Sequence, residues 1–206
     1  VDYSQYKQLE FRRKFWKIFG ATIRMTDVDG AHELGLIQMK AFRLKSDITL
    51  YADSAQQRPV FNIKARQSIA LNYVFDVFDS QSGQALFALE RKGLKSAFVR
   101  DHWRLLDTTG NQFGEIIETS SSLAIFRRWL SVISDLAGLI FAFVPETYTI
   151  QTTGDQAQLI GSIVHKKNPL IVKMSLDTSQ AQAAVDQRVA IASCVLLCIR
   201  DANKNG

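Results

Sequence analysis

The residues able to do chemistry in this chain are few and scattered. His32, His102 and His165 lie far apart and show no His-x-x-x-His spacing of the kind that puts two imidazoles on one metal. They are expected to be ordinary strand residues. Cys194 and Cys198, the two cysteines of the chain, sit at i,i+4 inside an apolar run, so a helix there places both on one face as buried reduced thiols. Asp27-Val28-Asp29-Gly30 has the flavour of a calcium loop but lacks the further oxygen ligands and the closing Glu at fixed spacing, and reads as a hairpin turn. No Gly-x-Ser-x-Gly elbow and no phosphate-binding glycine loop is present, and the carboxylates fall mostly in turns. These patterns point away from an enzyme and predict no metal and no cofactor.

What remains is positive charge. Lys and Arg number 25 against 20 Asp and Glu, a formal net charge of +5 that favours an anionic partner, either nucleic acid or an acidic membrane surface. Lys64 and Arg66 share one strand face by period 2, Arg91, Lys92 and Lys95 follow a later strand, and Lys166 and Lys167 come later still. Two readings stand: a solvated strand exterior, or an anion-binding patch for a phosphoinositide or phosphatidylserine headgroup where the barrel brings these rims together. Arg127, Arg128 and Trp129 add a basic and aromatic cluster suited to headgroup level. No groove-reading element is recognisable, which disfavours a nucleic-acid partner; the alternative is a protein-interaction or nucleic-acid-associated scaffold with no lipid ligand.

The element that must organise these residues is the run Val189 to Ile199, free of charge and bracketed by Arg188 and Arg200. Asp177 to Ser179 form a capping cluster and alanines follow, so the spacing predicts a helix over 179–200. Its charge-free length is well short of the roughly 20 residues a bilayer span needs. A helix with no polar face must be enclosed by protein.

The shell is predicted by a repeat. Short turns containing Asp or Gly recur near residues 27, 53, 79, 107 and 154, flanked by alternating stretches; Asp53, Asp79 and Asp107 lie 26 and 28 residues apart (79 − 53, 107 − 79). Sequential hairpins make a meander, and meanders escape exposed edges by closing into a barrel. A count of about ten to twelve strands implies a lumen too wide for wall side chains alone to fill. The expected fold is a closed antiparallel barrel around the C-terminal helix, as one domain over 1–206. Two segments stand outside the repeat. Residues 1–19 form a basic and aromatic arm, read as a cap on the barrel or an interfacial anchor. Residues 120–145 read as an inserted amphipathic helix with a wide apolar face, packed on the barrel or lying in a membrane interface. No signal-peptide pattern opens the chain, so a cytoplasmic protein, at most peripheral to a membrane, is expected.

Three stretches resemble the tubby-like barrels, the superfamily of tubby proteins, phospholipid scramblases and plant LURP-one-related proteins. They are Gly35-Leu36-Ile37-Gln38-Met39-Lys40-Ala41-Phe42-Arg43-Leu44-Lys45, then Leu89-Glu90-Arg91-Lys92 followed by Trp103-Arg104-Leu105-Leu106-Asp107 and Gly110, and finally Asp186-Gln187-Arg188 opening the last apolar run. The resemblance covers most of 21–200 and implies a 12-stranded barrel around a hydrophobic helix. It also implies a tie to membranes, since tubby barrels bind phosphoinositides and scramblases are named for lipid movement. No Pro-rich tail and no palmitoylation-type cysteine cluster is present, in departure from animal scramblases.

Overall fold

The computed structural model describes residues 2–14, 21–40, 47–66, 73–91, 102–119, 145–166 and 171–204. Twelve strands run in chain order: β1 (Gln8–Lys14), β2 (Ala21–Asp27), β3 (Glu33–Lys40), β4 (Asp47–Tyr51), β5 (Pro59–Arg66), β6 (Tyr73–Asp79), β7 (Ala85–Arg91), β8 (His102–Leu106), β9 (Gln112–Glu118), β10 (Glu146–Thr152), β11 (Leu159–Lys166) and β12 (Ile171–Asp177). One helix follows, α1 (Gln187–Lys204). Each strand pairs antiparallel with its chain neighbours, and β1 pairs with β12 to close the barrel.

The closing strand corrects the expectation for the N-terminal arm. Residues 8–14 lie in the wall, with Leu9 and Phe11 facing inward opposite Leu176 and Met174. β2 and β12 would otherwise each expose an unpaired edge, and β1 satisfies both at once. Residues 15–19 of the arm, and the helix expected over 120–145 apart from Pro145, lie outside the described residues.

Inside the barrel α1 is surrounded on all sides. Every residue from Val189 to Ile199 is buried, most at 0% exposure, which is the enclosure its lack of a polar face demands. Ser193 in its middle sends its hydroxyl back to the Val189 carbonyl at 2.7 Å, so no polar group is left open in the core. The inward wall is apolar (Phe11, Ile23, Ile48, Phe61, Leu105, Ile163), while the outward face carries Arg12, Arg24, Asp76, Arg104, Glu115 and Lys173 at mid-strand. A barrel crossing a bilayer has the opposite pattern, an apolar band outside. Among the described residues no helix is long and apolar enough to cross a membrane.

α1 starts eight residues later than the sequence predicts. The Asp177 carboxylate spends its capping capacity on the Ser179 amide at 2.8 Å, which makes a turn. Residues 178–186 then cross the mouth of the barrel, where the amides of Gln182 and Ala183 both donate to the Leu159 carbonyl. Asp186 is the true N-cap: its side chain accepts from the Arg188 amide at 2.9 Å and its carbonyl from Val189.

The two ends of the barrel are built differently. At the proximal end, where α1 begins, stand the five described hairpins, β2–β3, β4–β5, β6–β7, β8–β9 and β10–β11. Asp27, Asp53, Asp79 and Asp107 each accept amides from their own turns, and Thr152 does the same in the fifth. All five hairpins carry a β-bulge at the same place, leaving Leu34, Val60, Leu86, Phe113 and Ile160 unpaired and packed on the core. The residue after each bulge is Gly35, Phe61, Phe87, Gly114 or Gly161. At Gly114 a Cβ would meet the Gln151 carbonyl oxygen at 2.8 Å and Leu105 Cδ1 at 2.9 Å; at Gly161 the nearest atom stands at 3.2 Å.

Two expected outcomes follow from this end. Gly114→Ala overpacks the wall and destabilises by about 1–3 kcal/mol, with Gly161→Ala costing less, read as denaturant midpoints. Asp27 is held below the ordinary carboxylate range chiefly by the His32 side chain, Asp53 by the Gln57 amide, Asp79 by the Ser82 amide and Asp107 by the Thr109 hydroxyl. Depressed carboxyls contribute stability that is complete above the unfolded Asp value of about 3.9 and is lost as pH falls through the folded values. The melting temperature therefore drops on acidification below about pH 4, and Asp107→Asn flattens that drop.

Candidate anion-binding site

β1, β3, β5, β7, β9 and β11 finish, and their antiparallel partners begin, at the distal end, where α1 also finishes. At this end the alternation that keeps the inner wall apolar also brings several polar side chains inward. In β1 the inward series Leu9, Phe11 ends in Arg13, between Val172 of β12 and Ile23 of β2. In β7 the series Phe87, Leu89 ends in Arg91, whose guanidinium lies 5.7 Å from the Trp103 ring. In β11 it ends in His165, and in β10 it begins with Glu146 and Tyr148.

Glu146, Tyr148, His165 and Arg200 form one connected group. Arg200 Nη2 donates to Tyr148 Oη at 2.6 Å, which donates to Glu146 Oε2 at 2.7 Å; Arg200 stands 3.4 Å and His165 Nδ1 3.9 Å from the same carboxylate oxygen. The Arg200 guanidinium also lies 5.3 Å from the Tyr148 ring. Arg200 is 7% exposed and His165 4%, so this group pins the last turns of α1 to the wall away from water.

Arg13 is in a different position. Its Nε and Nη1 atoms are buried with no hydrogen-bond partner, and among the described residues it forms no ion pair. Burial lowers its basicity, opposed only by the nearby Cys198 thiol of α1. That thiol also bonds Cys194, whose own pKa burial pushes up, as suits the reduced buried pair expected from the i,i+4 spacing.

Of the expected basic patch, Lys64, Arg66, Arg91 and Lys166 are among the described residues. Lys64 and Arg66 do share the outer face of β5, but Arg66 is held by Asp76 at 2.9 Å and Lys64 lies over the Phe78 ring. Arg91 is on the inner face of its strand, so the barrel wall separates it from them. Lys166 is exposed at the distal end of β11. Lys92, Lys95, Arg127, Arg128, Trp129 and Lys167 lie outside the described residues.

The histidines pair with carboxylates, at 2.8 Å for His32 and Asp27 and 2.9 Å for His102 and Glu115; His32 sits in the first turn, not on a strand. No group of His, Cys, Asp and Glu among the described residues could hold a metal ion. A concavity of about 890 Å³ opens at the proximal end between residues 2–7 and the segment before α1. Within its lining Arg188 bridges Asp79 at 2.8 Å and Asp186 at 2.6 Å. Its Tyr3 hydroxyl is raised to about 12 by burial.

The sequence does not single out Arg13, Glu146 or Tyr148 as site residues, and His165 reads there as an ordinary strand residue. The signal for Arg13 was the period-2 series Leu9, Phe11, Arg13, visible once residues 8–14 are recognised as a strand. No family model, curated protein or solved structure matches the chain.

Arg200→Met is expected to destabilise by about 1.5–3 kcal/mol, since it strips a charged hydrogen bond from Tyr148 and Glu146, and Tyr148→Phe by about 1 kcal/mol. The double variant should cost less than the sum, which chemical denaturation of the cycle will measure.

Proposed function

We propose that this protein is a tubby-like barrel, related to the scramblase and LURP-one-related proteins, that binds anionic phospholipid as a peripheral, non-catalytic membrane protein through its distal end. The observation that carries this reading is the separation of charge and aromatic residues between the two ends. The connections that join distal strand ends are 15–20, 41–46, 67–72, 92–101, 119–145 and 167–170; in sequence they hold nine Lys and Arg against two Asp, with nine Phe and Trp. Those at the proximal end are 28–32, 52–58, 80–84, 107–111, 153–158 and 178–186; they hold one Arg against five Asp and no aromatic residue.

Basic side chains attract anionic headgroups, each contributing about 1 kcal/mol near such a surface, and Trp and Phe favour the layer just beneath. A nucleic-acid surface would use the charge but gives no reason for so many large apolar residues beside it. Lys64, Arg66 and Lys166 border this end, which fits an expected patch formed where the rims come together.

Co-sedimentation with vesicles tests the reading. The purified chain is expected to bind phosphatidylcholine vesicles doped with phosphatidylserine or phosphoinositide, to ignore undoped ones, and to release as salt is raised. Lys92→Glu with Lys95→Glu should weaken binding several-fold, whereas Asp53→Lys at the opposite end should leave it unchanged. Equal binding to neutral and anionic vesicles, or none, would remove the reading, and salt-sensitive duplex binding without vesicle affinity would replace it with a nucleic-acid role.

A further inference from the structure

We infer that Arg13 is the phosphate-contacting residue of the distal end: a guanidinium held inside the barrel mouth with its bonding capacity unused, awaiting a phosphate group. The inference rests on the proposed lipid-binding reading for the source of that phosphate, but the site itself stands on geometry. A buried hydrogen-bonding group is normally partnered, and a buried charge is normally paired, because desolvation otherwise costs several kcal/mol. Two nitrogens of the half-buried Arg13 side chain break the first rule. Its inward neighbours across the ladder are Val172 and Ile23, neither of which can accept a hydrogen bond through its side chain. Its buried Nε and Nη1 have no partner.

The rest of the mouth shows that an arginine there can be satisfied when the fold requires it. Arg200, buried more deeply than Arg13, is answered by Tyr148 and Glu146. On the outer face of the same strand Arg12 is answered by Glu10 at 2.7 Å, which also takes Lys173 at 2.8 Å. Burial works against the Glu10 charge, but the bonds from Lys173 and Arg12 outweigh it and its pKa falls. One residue beyond Arg12 along β1, no carboxylate among the described residues answers Arg13.

Arginine suits the role. Its planar fork matches two phosphate oxygens at once, and it keeps its charge even when burial lowers its pKa. The position is also the last inward one of β1, so an anion arriving from the distal side need not enter the apolar lumen around α1. The phosphate can belong to a lipid headgroup or be free in solution, and the two are separated by experiment.

The variants are Arg13→Met, which keeps the stem and removes the charge, and Arg13→Lys, which keeps the charge and removes the fork. Thermal unfolding is followed in inorganic phosphate against chloride at equal ionic strength, and vesicle co-sedimentation is run with phosphatidylserine-doped and phosphatidic acid-doped phosphatidylcholine. An anion that binds only the folded state raises the melting temperature in proportion to the logarithm of its concentration. Expected results are that Arg13→Met melts at or above the parent without phosphate, since an unsatisfied charge has been removed, and that it loses the phosphate-induced rise. Affinity for anionic vesicles should fall about tenfold or more, the loss of one charge-assisted contact, with Arg13→Lys in between.

A phosphate response that depends on Arg13 without vesicle binding by the parent supports the site, assigns it to a soluble phosphate and ends the membrane reading. Vesicle binding that is unchanged in Arg13→Met ends this inference and leaves the membrane reading standing. Loss of stability in Arg13→Met with an intact phosphate response, or no response to phosphate or vesicles in the parent, shows Arg13 to be structural and overturns the site.

Discussion

Everything in this molecule follows from one enclosure. α1 carries eleven consecutive residues without charge, from Val189 to Ile199, and all of them are withdrawn from water. An apolar cylinder of helix needs a wall on every side, and a closed sheet is the arrangement that supplies one without leaving a strand edge. Size agrees between the two partners. Twelve strands leave a lumen that their own side chains do not fill, and small residues at Ala190, Ala192 and Ser193 keep the helix narrow enough to occupy it. Removing either partner leaves the other with a large exposed apolar surface, so neither the barrel nor α1 is a unit by itself.

Closing the barrel also separates its ends. In an up-and-down meander every second connection falls on the same side, so whatever distinguishes odd from even connections becomes a difference between two faces of the molecule. Here the even-numbered class is acidic, and its five hairpin turns, held by Asp or Thr side chains, are each followed by a bulge that tucks an apolar residue on the core. Bulges at a barrel rim bend the strands and tighten the mouth. The other class is basic and aromatic. The two sets of connections thus differ in length, in charge and in aromatic content.

Arg13 lies where these two themes meet. It belongs to the wall by its strand register and to the distal end by its charge, and it is left with a bonding deficit that the fold corrects elsewhere. Arg200 and Arg188, at the two ends of α1, show the usual solution, in which a carboxylate from the wall answers each guanidinium. Sites for ligands are commonly marked by such local sacrifices of stability.

The helix, the hairpins and the closed barrel were legible in the sequence because they depend on local quantities: the charge-free run, the capping and turn residues, and period-2 alternation. The helix start was misjudged because Asp177 and Ser179 satisfy a turn as readily as a cap, and the choice between Asp177 and Asp186 is made by contacts of residues 178–186 with Leu159 and Lys7, distant in sequence. Residues 8–14 went unrecognised as a strand because their partners, β2 and β12, include one more than 150 residues away. The basic residues were visible by type, yet whether two of them share a face across strands depends on register, which a single bulge reverses. Lys64 and Arg66 thus came out together, and Arg91 was turned to the other side of the wall. What this sequence determined by itself was an apolar helix and a repeating shell of hairpins to hold it, since periodicity and turn chemistry act within a few residues. Only the tertiary structure decided which strand closes the barrel, which charges face inward and which connections share an end, because those depend on pairings that no local stretch contains.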